Sequence, residues 1–184
     1  MTELASRGQL RAGFLRWALV LVPGIVLLGF LSGAVAQSGP GNPWFDALSK
    51  PSLYPPPQLF GIVWSALYVM IGVALAMVVA ARGAWGREPA IIAFVVQLLL
   101  NLAWTPLFFG AHQITGALIL IVVLDIAVVV TIWLFWRVRP VAAMLLLPYL
   151  AWILFASLLT WQILAANPRA DGQETVRPVT RFEF

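Results

Sequence analysis

The sequence predicts an all-α membrane protein, a bundle of five transmembrane helices, on three observations. First, its 184 residues are 62% hydrophobic and only 10% charged, with a mean hydropathy of +0.95, whereas a soluble domain carries about 25% charge. Second, five apolar runs, four of them uncharged and the fourth in order holding a single Asp, are each long enough to cross ~30 Å of hydrocarbon at ~1.5 Å per residue. Third, these runs lack the alternation of barrel strands, which leaves helices as the way to satisfy every backbone polar group in lipid. A water-soluble globule is excluded. Zero cysteines exclude disulfides, thiolate metal sites and cysteine nucleophiles, and one histidine leaves little for metal or haem ligation.

The elements follow in order. Residues 1–16 read as an N-terminal tail with Arg7, Arg11 and Arg16. The first span, about 17–36, ends Ala34-Val35-Ala36-Gln37 and also resembles a signal peptide with a small-residue cleavage site; its length favours a retained helix. Residues 37–57, with Pro40, Pro43, Pro51, Pro55, Pro56 and Pro57, are too proline-rich for a helix and read as a stiff, ordered lid, with Pro57 suited to a helix's first turn. The remaining spans are about 58–81, 89–110, 114–136 and 140–164, together making one membrane domain over 17–166. Their short connections predict antiparallel sequential neighbours. From Asn167 to Phe184 a polar, mobile tail is expected.

The net charge of +4 raises nucleic-acid binding, but the eleven Lys and Arg lie scattered between spans and never form a patch, so no nucleic acid is expected as a partner. Seven of them fall on the side of the N-terminus, second loop and fourth loop, and four on the lid side. For a bacterial cell membrane this puts the N-terminus in the cytoplasm and the lid outside.

Few groups within the spans can hydrogen-bond strongly. Gln97, Asn101, Trp104 and Phe108 share one face of the third span, Trp64 and Tyr68 one face of the second, and Trp152 and Phe155 one face of the fifth. Trp64 and Trp104 both lie ~9 Å below the lid, Asn101 ~14 Å, and Asp125, Trp152 and Gln97 ~16–20 Å. Three helices therefore bring amides and indoles to comparable depths, predicting a pocket open towards the lid with flat aromatic walls and a few polar anchors. Packing alone is the competing reading for these residues, with Gln97 and Asn101 as interhelical glue. The other six tryptophans, Trp44 included, are read mainly as interfacial belts. Asp125 is the only charged-type residue inside any span and has no basic partner there, which leaves a protonated structural contact or a ligand or proton role. Small residues at fourfold spacing, Gly29 and Gly33, then Gly72, Ala76 and Ala80, suit either a homodimer or packing within one chain. His112 is read as solvated or capping.

Three multi-residue motifs resemble a known family. The stretch Trp44-Phe45-x-x-Leu48-x-Lys50-Pro51, followed by Pro55-Pro56, Phe60, Trp64 and Leu67-Tyr68, is similar to the first loop and second helix of the TspO/MBR family, the tryptophan-rich sensory proteins related to the mitochondrial translocator protein. Gln97-x-x-x-Asn101-x-x-Trp104-x-Pro106-x-Phe108-Phe109-Gly110 is similar to that family's third helix, and Pro148-Tyr149-x-x-Trp152-x-x-Phe155-Ala156 with Asn167 to its fifth. The resemblance implies a five-helix bundle, often dimeric, that binds porphyrins, sterols and benzodiazepine-type ligands beneath the first loop. It carries pocket positions to Phe45, Trp64, Asn101, Trp104, Phe108, Trp152 and Ala156, and it implies links to tetrapyrrole signalling or transport.

Two departures stand out. Leu53 replaces the lid's usual Trp, and Leu159-Thr160-Trp161 with Leu164-Ala165 lacks the Tyr and basic residue of the proposed cholesterol motif, itself a weak pattern. Sterol is accordingly not the expected ligand. Taken together, the residues and the resemblance predict an integral membrane receptor or transporter that binds porphyrins, with a sensory or regulatory role. The expected site is Trp44, Phe45, Trp64, Tyr68, Gln97, Asn101, Trp104, Phe108, Asp125, Trp152, Phe155 and Ala156. Porphyrin is the expected ligand, with no cofactor required and no metal site. The alternatives are a light-dependent porphyrin-degrading enzyme using Trp64 and Trp152, or a membrane scaffold. The spans offer no carboxylate dyad, thiol or histidine cluster for ordinary catalysis.

Overall fold

The computed structural model describes residues 7–173; residues 1–6 of the predicted N-terminal tail and 174–184 of the predicted C-terminal tail lie outside the described residues. The elements are α1 (Arg7–Val35), α2 (Pro43–Ala47), α3 (Pro57–Ala80), α4 (Arg87–Thr105), a π-helical turn (Pro106–Gly110), α5 (Ile114–Val138) and α6 (Pro140–Ala166). Five of these helices are long and apolar enough to cross a membrane, and no strand occurs among the described residues. The chain is an integral, multi-pass membrane protein.

Local sequence sets the boundaries. Pro57 and Pro140 occupy the first turns of α3 and α6, where a missing N–H costs nothing. Arg139 precedes Pro140 and is extended, with φ −152° and ψ 100°, the conformation a following proline enforces; this separates α5 from α6. The α3 to α4 turn uses Gly86 at φ +79°, and the Arg87 guanidinium donates through Nε (3.1 Å) and Nη2 (3.0 Å) to the Val79 carbonyl, satisfying an end carbonyl of α3.

Pro106 explains the widened turn that follows α4. It lacks an N–H for the carbonyl of Leu102, and the Ser32 hydroxyl of α1 donates to that carbonyl instead at 2.8 Å. Beyond it the ladder slips to the π register, with Ala111 N–H donating to the Pro106 carbonyl at 2.8 Å.

Two boundaries differ from the sequence expectation. The first helix already includes Arg7, the first described residue, ahead of the expected residue 17, because hydropathy marks where a helix enters lipid and not where it begins. The segment from Asn167 to Gly172 is held by bonds to the rest of the protein: Thr115 N–H donates to Asp171 Oδ1 (3.1 Å) and Gly172 N–H to the His112 carbonyl (2.9 Å).

Sequential helices pack as neighbours except at one pair, α3 and α4. α1 packs mainly on α3, α3 on α6, α6 on α5 and α5 on α4. Although a short turn joins α3 to α4, the two make only sparse contact. The small-residue rows serve packing within the chain: Gly29 lies against the Tyr68 ring, and a Cβ on Gly72 would stand 2.8 Å from the Val22 Cα. This close approach seats α1 on α3.

Candidate functional site

Between the sparsely touching α3 and α4 lies a cavity of about 490 Å³, lined by all five long helices and the lid. It falls within the ~300–1,000 Å³ usual for small-molecule sites. No charged side chain is among its lining residues.

Aromatic rings form its walls. On α3, Trp64 stacks on Tyr68 (centroids 5.1 Å, interplanar angle 28°) and meets the Tyr149 ring edge-on at 6.3 Å. On α4, Trp104 stacks on Phe108 at 5.0 Å and 13°, and its indole N–H donates to the Ala117 carbonyl at 3.1 Å, which fixes the ring plane. The π-turn carries Phe108 and Phe109 to the wall, edge-to-face at 4.9 Å. On α6, Trp152 meets Phe60 edge-on at 5.6 Å, and among the described residues its buried indole N–H has no hydrogen-bond partner. Ala156, one turn further along α6, also lines the wall.

The roof is the lid. Asn42 caps α2, its Oδ1 accepting from Phe45 N–H at 3.1 Å, and its Nδ2 donates to the Phe109 carbonyl at 3.3 Å. Phe45 is buried and reaches the cavity, with Lys50 Nζ 4.6 Å over its ring and donating to its carbonyl at 2.9 Å. Tyr54 joins Phe60 at 5.3 Å; burial first, and the Asp46 carboxylate second, push its phenol above the usual value. Asn167 clamps the lid to α6: its Oδ1 accepts from Ser49 N–H, and its Nδ2 donates to the Ser49 carbonyl, both at 2.8 Å.

Eight of the twelve sequence-predicted residues therefore line one cavity: Phe45, Trp64, Tyr68, Asn101, Trp104, Phe108, Trp152 and Ala156. Four do not. Trp44 is only 4% exposed, stacked on His112 at 4.5 Å and edge-on to Phe108 at 5.5 Å. It props the roof from outside the cavity and is no belt residue, and His112 is its stacking partner as well as a turn residue. Gln97 lies beneath the floor, accepting from the Tyr149 hydroxyl at 3.0 Å, with its Nε2 buried and unpartnered. Asn101, one turn nearer the lid, accepts from the Tyr68 hydroxyl at 3.2 Å. Asp125 faces the α5–α6 seam, its Oδ2 accepting from the Ser157 hydroxyl at 2.8 Å and its Oδ1 without a hydrogen-bond partner among the described residues. Phe155 touches Trp152 at 5.6 Å from the far side. Tyr54, Phe60 and Phe109 line the cavity without having been picked out; Phe60 was within reach, four residues before Trp64 on the same helical face.

The chain's similarities agree with this architecture. The model of the TspO/MBR family matches residues 19–166. The tryptophan-rich protein TspO of Chlorobaculum tepidum is 39% identical over 153 residues, covering 82% of this chain and 96% of that protein. The human translocator protein is 36% identical over 143 residues, covering 76% and 84%. The tryptophan-rich sensory protein of Cereibacter sphaeroides is 31% identical over 156 residues, covering 82% and 92%.

Proposed function

Because this chain belongs to the TspO/MBR family, a membership that supports a membrane receptor or regulatory role, we propose that its lid-covered cavity receives a flat, largely apolar tetrapyrrole of the porphyrin class. The protein then acts as a receptor or transporter for that ligand within the bilayer. One observation carries the reading: a neutral cavity of about 490 Å³ walled by Trp64, Trp104 and Trp152 from three separate helices and roofed by Phe45. Such rings accept a planar ligand by stacking or edge contacts, each contributing about 0.5–1.5 kcal/mol beyond area burial. Asn101 and the unpartnered indole N–H of Trp152 supply polar anchors.

Titration of protoporphyrin against tryptophan fluorescence in detergent tests this. Saturable quenching is expected, weakened in the Trp64→Phe, Trp152→Phe double variant. Absence of saturation, or quenching untouched in that variant, refutes it. Arg11, Arg16, Arg82, Arg87, Arg137 and Arg139 at the end opposite the lid support placing that end in the cytoplasm.

A further inference from the structure

At the end of the bundle remote from the lid, the structure holds a second concave feature, and we propose that it is a binding site for the headgroup of an anionic phospholipid. The cleft measures about 240 Å³ and is lined by Trp85, Gly86, Pro89, Leu134 and Arg137. It is independent of the porphyrin reading.

Arg137, in the last turn of α5, lays its guanidinium 3.8 Å from the ring centre of Trp133, one turn earlier on the same helix, and 5.9 Å from that of Trp85 in the α3–α4 connection. Both distances lie within cation–π range. Among the described residues Arg137 has no carboxylate partner and no hydrogen bond. With the rings engaging its charge, the guanidinium still carries N–H donors in the planar fork geometry that matches phosphate oxygens. Trp85 is 80% exposed, a large indole left uncovered by the fold.

The surroundings select an amphiphile over a free anion. Below the cleft the outer face of α5 continues through exposed Trp133, Val130, Val129 and Ile126, an apolar track along which an acyl chain can lie. Arg82 and Arg139 add positive charge at the same end, opposed among the described residues by Glu88. A net anionic headgroup is therefore favoured over a choline-bearing one, and the tryptophans sit where the ring's apolar body meets lipid and its polar edge meets water.

Native mass spectrometry of the full chain, offered equal amounts of phosphatidylglycerol and phosphatidylcholine with identical acyl chains, tests the assignment. The wild type should retain phosphatidylglycerol over phosphatidylcholine by about tenfold, a ratio Arg137→Ala reduces to near unity. Arg137→Lys, which keeps the charge but loses the planar fork, should fall between. Trp85→Ala removes an exposed ring without disturbing the core and should lower the ratio several-fold, while Arg82→Ala, the same charge change outside the cleft, should lower it far less than Arg137→Ala does. Equal losses in Arg82→Ala and Arg137→Ala would assign the preference to diffuse charge and overturn the site. So would a wild type without preference, or removal of the lipid by inorganic phosphate at matching concentration.

Discussion

Replacing Asn167 by Ala should unlatch the lid without dislodging it. The side chain makes two bonds to Ser49 across the lid–α6 junction, both at 2.8 Å, and a third to the Ile163 carbonyl of its own helix. A neutral hydrogen bond contributes a net ~0.5–1.5 kcal/mol. The two junction bonds are exposed, so water replaces them readily, and together they hold about 1–2 kcal/mol of docking free energy. At about 1.4 kcal/mol per factor of ten, the open state becomes about 5–30 times more frequent. Docking persists because Trp44, Phe45 and Leu48 remain buried and Asn42 still binds the Phe109 carbonyl. Hydrogen exchange read by mass spectrometry in lipid nanodiscs measures this directly: lid amides around residues 44–50 should exchange about 5–30-fold faster while those of α4 and α5 keep their rates. Asn167→Asp, which retains the acceptor and loses the donor, should recover part of the protection. Unchanged lid exchange, or acceleration spread equally over the helices, refutes the latch.

Gly72→Ala should destabilise the seat of α1 by about 1–3 kcal/mol, because the added Cβ meets the backbone of Val22, which cannot rotate away; thermal unfolding in detergent reads it, and an unshifted midpoint counts against the packing described. Tyr149→Phe strips Gln97 of its one hydrogen-bond partner in a buried site at a cost of about 1–3 kcal/mol, and combining it with Gln97→Leu should restore part of that stability; strictly additive losses would show that the pair does not interact. Tyr54 supplies a pH dependence. Its folded-state pKa is raised by burial and by Asp46, so its contribution to lid docking is full below the unfolded value near ~10 and is lost as pH rises through the folded value. Alkaline loosening of the lid, followed by tryptophan emission, should vanish in Tyr54→Phe, and an identical transition in that variant contradicts the assignment.

Hydropathy exposed the five crossings because lipid imposes a single requirement, apolar length, on every span. It could not show that α1 extends back through Arg16 and Arg11 to Arg7, since charged residues end an apolar run without ending a helix. The one-turn α2 was legible in principle: Asn42 followed by Pro43 is a cap and first-turn pair, masked by the prolines around it. The π-turn was not, because a one-residue slip of the ladder leaves no mark in composition, and Pro106 shows where a ladder breaks but not how it resumes. Helical spacing placed Gln97 and Asn101 on one face correctly, yet only the position of the floor, set by Tyr68 and Tyr149 from other helices, separates the cavity residue from the one beneath. Trp44 was misassigned for a similar reason: a tryptophan in a loop at membrane depth reads as a belt residue until its partner His112 is known. Short connections misled about α3 and α4, because adjacency in sequence fixes the distance between helix ends and not the angle between their axes.

The sparsely touching α3 and α4 are joined at two levels. The grip of Arg87 on Val79 pins the two helices at the end away from the lid, and the Tyr68–Asn101 bond crosses midway between them. A molecule held between them would touch both helices, so its affinity must depend on how wide they stand, and by reciprocity its arrival must set that width. On the proposed reading, occupancy beneath the lid would then bear on the Arg87 contact at the opposite end, with no passage of the molecule across the membrane required.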